Sequence, residues 1–163
     1  MVRLLLGVVS ACLLLAIQAA AAEDAKFVKL RNAATGKVLA VADNSEESGA
    51  KIVAAKDDSK NESQQWKLEK DGDHIKVVNR KSGKVLDVSQ ESKDEGGEII
   101  QWDDKAEGND NQRWSWEGDG KKRRLKSKSS GLVLDVDDDG NVVQRASAEK
   151  ANAQLWEVVE VAK

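Results

Sequence analysis

Proline and tyrosine are absent from this 163-residue chain, and cysteine, histidine, phenylalanine and methionine occur once each. One cysteine cannot form an internal disulfide, so stapling cannot hold this fold together. One histidine and one cysteine rule out, or nearly so, a Cys/His protease, a thiol oxidoreductase or a Cys/His zinc site. Charge of one sign is also missing. The 26 basic residues face 29 acidic ones, a net charge of −3, so no basic face for nucleic acid is expected. Residues that are 34% charged do not suit an integral membrane protein. Against this poverty stand five tryptophans.

Residues 1–22 differ from the rest. Arg3 is their single charge, Leu4-Leu5-Leu6 and Leu13-Leu14-Leu15-Ala16-Ile17 form the apolar stretch, and Ala19-Ala20-Ala21-Ala22 precedes Glu23-Asp24. This is the pattern of a secretory signal peptide, and we expect cleavage after Ala22, which leaves 23–163 as the exported domain. The apolar run falls short of the ~20 residues of a span, and no basic stop follows, so no membrane span is expected in the mature chain. Cys12 lies inside the run, whereas a lipidated cysteine should close it. The expected location is secreted or periplasmic, with no lipid.

Beyond the leader the sequence repeats. Lys37-Val38-Leu39-Ala40-Val41 returns as Lys84-Val85-Leu86-Asp87-Val88 and as Leu132-Val133-Leu134-Asp135-Val136, at offsets of 47 and 48 residues. Thr35-Gly36, Ser82-Gly83 and Ser130-Gly131 precede the copies as turn signals. Each unit ends in Gln-x-Trp: Gln64-Gln65-Trp66, Gln112-Arg113-Trp114 and Gln154-Leu155-Trp156. The units span about 26–70, 73–118 and 122–160. Every unit holds four short runs of alternating polarity separated by Gly, Asn, Asp and Ser, and no long stretch carries a 3.6-residue apolar stripe. Twelve strands in three pseudo-symmetric repeats follow. A closed barrel capped by hairpins would bury them and remove the sheet edges.

Three in-phase Gln-x-Trp motifs together with Leu-Asp-Val resemble the ricin B-type lectins over nearly all of residues 26–160. The resemblance implies an all-β β-trefoil and carbohydrate binding. It also implies that Trp66, Trp114 and Trp156 fill the centre where the units meet. Trp116, aligned with Leu68 and Val158, is expected in the core beside them.

Trp102 stands apart. Its counterparts are Ala55 and Arg145, so the fold does not demand an aromatic there, and an indole face stacks well on a pyranose ring. In the family an Asp after the conserved Leu accepts bonds from vicinal sugar hydroxyls, an aromatic follows, and an Asn-Gln pair leads into the tryptophan motif. The second repeat holds all four: Asp87, Trp102, Asn111 and Gln112. Ile100 departs from the pattern, which often has Gln there, and Gln101 should point to the opposite face. The first repeat, with Ala40, Ala55 and Ser63, reads as a dead site. The third keeps Asp135 but has Arg145 and Ala153, and its span from Asp135 to Gln154 is 19 residues against 25 from Asp87 to Gln112. A weak or vestigial second site at Asp135 is the most it supports.

Other motifs reduce to structure. Asp135-Val136-Asp137-Asp138-Asp139-Gly140 opens like a calcium loop, but Ala146 stands where a bidentate Glu is needed, and an acidic turn with Gly140 at positive φ is simpler. His74 has no paired nucleophile. Asn61-Glu62-Ser63 is a glycosylation sequon whose use depends on the host. The expected function is an exported, non-enzymatic lectin for a galactose-like or other pyranose sugar, with no cofactor and no metal. The alternative is a β-trefoil interaction or inhibitor scaffold whose sugar site is unused. No spacing places two facing acids for glycoside hydrolysis.

Overall fold

The structure, a computed structural model, describes residues 26–161. The expected signal peptide, residues 1–22, lies outside the described residues. Twelve strands follow one another: β1 (Val28–Asn32), β2 (Val38–Val41), β3 (Ile52–Ala55), β4 (Trp66–Asp71), β5 (His74–Asn79), β6 (Val85–Val88), β7 (Ile99–Trp102), β8 (Trp114–Glu117), β9 (Lys122–Ser127), β10 (Val133–Val136), β11 (Val142–Arg145) and β12 (Trp156–Glu160). No helix among the described residues is long and apolar enough to cross a membrane.

Strands β1, β4, β5, β8, β9 and β12 pair antiparallel around a complete ring, which closes where β12 meets β1. The other six form three hairpins, β2–β3, β6–β7 and β10–β11. These hairpins meet through single bridges, Lys51 with Ile100, Val53 with Asn141 and Glu98 with Val143. The result is a β-trefoil, a six-stranded barrel capped by a triangle of hairpins.

Local chemistry sets the turns. Asn32 and Asn79, both buried, accept through Oδ1 from the backbone amides of Ala34 and Thr35, and of Lys81 and Ser82; Ser127 does the same through Oγ for Ser129 and Ser130. Gly36, Gly83 and Gly131 follow at φ +69, +70 and +74, a conformation that glycine adopts without penalty. In the third repeat, Asp137 caps the turn through the amides of Asp139 and Asn141, and Gly140 sits at φ +86. Among the described residues no group of three or more His, Cys, Asp or Glu side chains converges as a metal site. His74 is half-buried and opens β5 opposite Asp71.

The centre belongs to Trp66, Trp114 and Trp156, all fully buried with Leu30, Val77 and Leu125. Each indole N–H donates to a leucine carbonyl in the hairpin of its own repeat: Leu39 at 2.9 Å, Leu86 at 3.1 Å and Leu134 at 3.4 Å. Burying one such side chain contributes at most about 4–6 kcal/mol of hydrophobic stabilisation, from ~150–250 Å² at ~25 cal/mol/Å².

Trp116 corrects an expectation. It is half-buried at the margin of the core with Leu68, Ile75 and Val158, and the Arg123 guanidinium covers its ring at 4.6 Å from the centroid. The equivalent Leu68 and Val158 are half-buried too, so this position lies at the core margin in every repeat, and the outer part of the indole is left to a cation–π contact.

Trp114→Ala should lower unfolding stability by about 3–5 kcal/mol, measured by urea titration. A loss below about 1 kcal/mol would contradict the central place given to this ring.

Candidate functional site

Along β6 the side chains alternate. Leu86 and Val88 enter the core, and Val85 and Asp87 face the other way. The hairpin register sets Asp87 opposite Ile100 and Val85 opposite Trp102, so Asp87, Ile100 and Trp102 share the outward face. They line a surface cavity of about 550 Å³ together with Lys105, Asn111 and the loop of residues 89–98 that joins β6 to β7. Gly49, from the β2–β3 loop of the first repeat, completes one side.

Asp87 is the buried anchor, with 3% of its surface exposed. Its Oδ1 accepts from Asn111 Nδ2 at 2.9 Å and its Oδ2 from Gln112 Nε2 at 2.8 Å. Burial pushes its carboxyl above the usual carboxylate range, while the Gln112 bond, the Lys105 charge and the Asn111 bond draw it back only in part. A carboxylate has about four acceptor positions, so each oxygen keeps room for one more donor.

The sequence resemblance implies a role for Asn111 as both donor and acceptor. In the structure both hydrogens of its Nδ2 are engaged, one by Asp87 and one by the Val88 carbonyl at 3.1 Å, and its Oδ1 accepts from Lys105 Nζ at 3.3 Å. Asn111 thus offers an acceptor, and the ammonium of Lys105, which also bonds Glu91 at 2.8 Å, is the donor on this side. Lys105, Glu91 and Gly49 escaped the sequence analysis. A signal for Lys105 was there, because it lies three residues after Trp102, where the other repeats have Asp58 and Ala148.

Gln112 sits with this group but behind it. It is fully buried and does not line the cavity. Besides Asp87, its Nε2 reaches the Asp103 carbonyl and its Oε1 accepts from the Lys105 amide, both at 2.9 Å. Gln64 makes the same clamp on Lys56 and Asp58, and Gln154 on Ala146 and Ala148. A residue doing one task in all three repeats serves the fold, and in the second it also orients Asp87.

Trp102 is 41% exposed, the one exposed large apolar side chain among the described residues. Its ring edge faces Gly49, where a Cβ would stand 3.5 Å from Cζ3. Gln101 points away, buried among backbone groups of the first repeat.

The other repeats differ in kind. In the third, Gln154 holds Asp135 at 2.9 Å, but Ala153 supplies no amide, Arg145 takes the place of Trp102, and the loop joining β10 to β11 has five residues against ten in the second repeat. In the first, Asn44 stands where the second has Glu91, and accepts from Asn61 Nδ2 at 2.6 Å and Ser63 Oγ at 2.8 Å, so side chains of the repeat fill the place.

The sequence profile of the ricin-type β-trefoil lectin-like domain matches residues 17–102 and 110–163. The chain belongs to this family. Its structure is similar to the designed threefold-symmetric protein ThreeFoil at 32% identity and a TM-score of 0.75, over 82% of this chain and 97% of that one. It is also similar to 1,3Gal43A, an exo-β-1,3-galactanase from Clostridium thermocellum, at 38% identity and a TM-score of 0.77, over 85% of this chain. The match spans 31% of that enzyme's length. The Polyporus squamosus lectin, solved with Neu5Acα2-6Galβ1-4GlcNAc, shares the fold at 22% identity and a TM-score of 0.71, over 81% of this chain and 48% of that one. No curated protein sequence matches the chain.

The shared clamp predicts that Gln64→Ala, Gln112→Ala and Gln154→Ala each lower unfolding stability by about 1–3 kcal/mol, because buried partners are orphaned. Urea unfolding of the three variants checks this. A neutral Gln112→Ala beside two destabilising counterparts would contradict the common role.

Proposed function

We propose that the chain is an exported, non-enzymatic carbohydrate-binding protein with one well-built sugar site, in the second repeat. The observation that carries this reading is the pairing of an exposed indole, Trp102, with a buried and doubly held carboxylate, Asp87, across one small cavity. The indole face takes the C–H face of a pyranose, and the two carboxylate oxygens accept from adjacent hydroxyls. The oxygen of Asn111 accepts from a further hydroxyl, and Lys105 donates. Gln112 holds Asp87 from behind. A galactose-like sugar is favoured by the likeness to a galactanase at 38% identity, although this chain spans only part of that enzyme. The third-repeat site at Asp135, without its amide and ring, is weak or idle. Residues 1–22 act as the export signal.

One stacked ring and a few hydrogen bonds, each netting about 0.5–1.5 kcal/mol, give a millimolar to sub-millimolar site, about −4 to −5 kcal/mol. In a glycan array followed by calorimetry, Trp102→Ala and Asp87→Ala should abolish binding. Trp102→Ala should leave unfolding stability within about 1 kcal/mol, since Ala55 and Arg145 occupy its place elsewhere. Sugar binding unaffected by Trp102→Ala would overturn the reading.

Acid should also abolish binding. A protonated Asp87 cannot accept from two hydroxyls, and burial holds its carboxyl above the ordinary range, so affinity should fall as pH drops through a value higher than that of an exposed aspartate. The same raised pKa means that ionised Asp87 opposes folding, and its contribution to stability grows as pH falls. Asp57 and Glu69 are held below the usual range, chiefly by hydrogen bonds from Lys29 and Lys67, so their contribution is lost only at lower pH. Binding should therefore fail before the fold does. Calorimetry and circular dichroism across the acid range check the order, and coincident loss would contradict it.

A further inference from the structure

The loop of residues 89–98 supplies Ser89, Gln90, Glu91 and Glu98 to the cavity, and it is an awkward wall. Gln90 and Glu91 lie at φ +53 and +55, a left-handed conformation that non-glycine residues adopt at some cost. Its internal bonds are local: the Ser89 amide donates to the Glu98 carbonyl at 3.0 Å, the Ser92 amide to the Ser89 carbonyl at 3.1 Å, the Asp94 amide to Ser92 Oγ at 3.2 Å and the Gly97 amide to the Asp94 carbonyl at 3.3 Å.

The third repeat reaches across to hold it. Gln144, fully buried in β11, donates through Nε2 to the Ser92 carbonyl at 3.0 Å and the Asp94 carbonyl at 2.9 Å. Its Oε1 accepts from Ser130 Oγ at 2.7 Å, so the amide cannot turn over. The backbone joins in: the Gly96 amide donates to the Gln144 carbonyl at 2.8 Å and the Gln144 amide to the Gly97 carbonyl at 3.0 Å. The approach is so close that a Cβ on Gly97 would stand 2.9 Å from Gln144 Nε2.

The same device recurs one repeat earlier. Gln101 donates to the Ser45 and Glu47 carbonyls at 3.1 and 2.9 Å, and accepts from Ser82 Oγ at 2.7 Å, holding the loop that carries Gly49. The third use of the position is instructive. Ala54 replaces the glutamine, and the loop it faces is the short turn of the third repeat, already capped by Asp137. A glutamine thus appears where a ten-residue loop must be held and is missing where the loop is short. Both long loops border the cavity.

We propose that Gln144 is a positioning residue for the second-repeat pocket: without touching the sugar, it fixes the wall from the neighbouring repeat and so sets the affinity. The degenerate third repeat is then retained as a support for the live site. This rests on the sugar reading of that site. A wall that is only partly populated in its binding-competent form weakens apparent affinity by that fraction.

Two measurements on Gln144→Ala and Gln144→Glu test it, both well below the unfolding temperature. In a galactose titration followed by NMR, both variants should bind about three- to tenfold more weakly than wild type. Glutamate matches the shape of glutamine but cannot donate to the two carbonyls, so it should not rescue. In amide exchange, the variants should speed up the amides of residues 89–98 and leave the barrel strands β4, β5, β8 and β9 unchanged. Wild-type affinity in Gln144→Ala, or exchange that rises equally across the barrel, would overturn the proposal. A wild-type chain that ignores galactose overturns the galactose reading instead, and loop exchange alone then decides whether Gln144 holds the wall.

Discussion

Three hydrogen bonds from buried indoles to leucine carbonyls tie the barrel of this protein to its cap. Trp66, Trp114 and Trp156 open barrel strands, while Leu39, Leu86 and Leu134 lie in the hairpins, so each bond fixes a hairpin against the strand that ends its repeat. Without a disulfide among the described residues, this packing carries the burden that cross-links bear in many small exported domains. It also fixes the spacing of the site. Asp87 follows Leu86 directly, and Asn111 and Gln112 lie just ahead of Trp114, so the contact that closes the core brings the carboxylate within 2.9 Å of both amides.

Threefold symmetry separates what the fold needs from what one repeat adds. The tryptophans and the glutamine clamp occur in all three units, and each copy makes the same bonds. Trp102 and Asn111 occur in one. Between these classes lie Asp87 and Asp135, present twice, and the buried latch residues Gln101 and Gln144, also present twice. The first and third repeats depart from the second in different ways: the first fills the place with Asn44, Asn61 and Ser63, and the third shortens the loop.

Much of this was legible in the sequence because the repeats act as internal controls. The period-2 runs and the three Gln-x-Trp motifs gave the twelve strands, and comparison of Trp102 with Ala55 and Arg145 singled out the exposed ring. What escaped depends on distances that spacing does not encode. Gln112 looks like a site residue beside Asn111, yet its side chain turns inward to clamp the loop before it. Trp116 aligns with Leu68 and Val158, but that position lies at the margin of the core in all three repeats, which strand alternation alone does not reveal. Gly49 and Gln144 belong to other repeats and meet the pocket only through the triangle of hairpins.

All three repeats carry the fold, whereas the proposed sugar site belongs to the second alone. An NMR titration with galactose, following the indole N–H signals of all the tryptophans, separates the two roles. The Trp102 signal should move in a single saturable step, while those of Trp66, Trp114 and Trp156 stay in place. Movement centred on the third repeat around Asp135 and Gln154, with Trp102 unmoved, would contradict it.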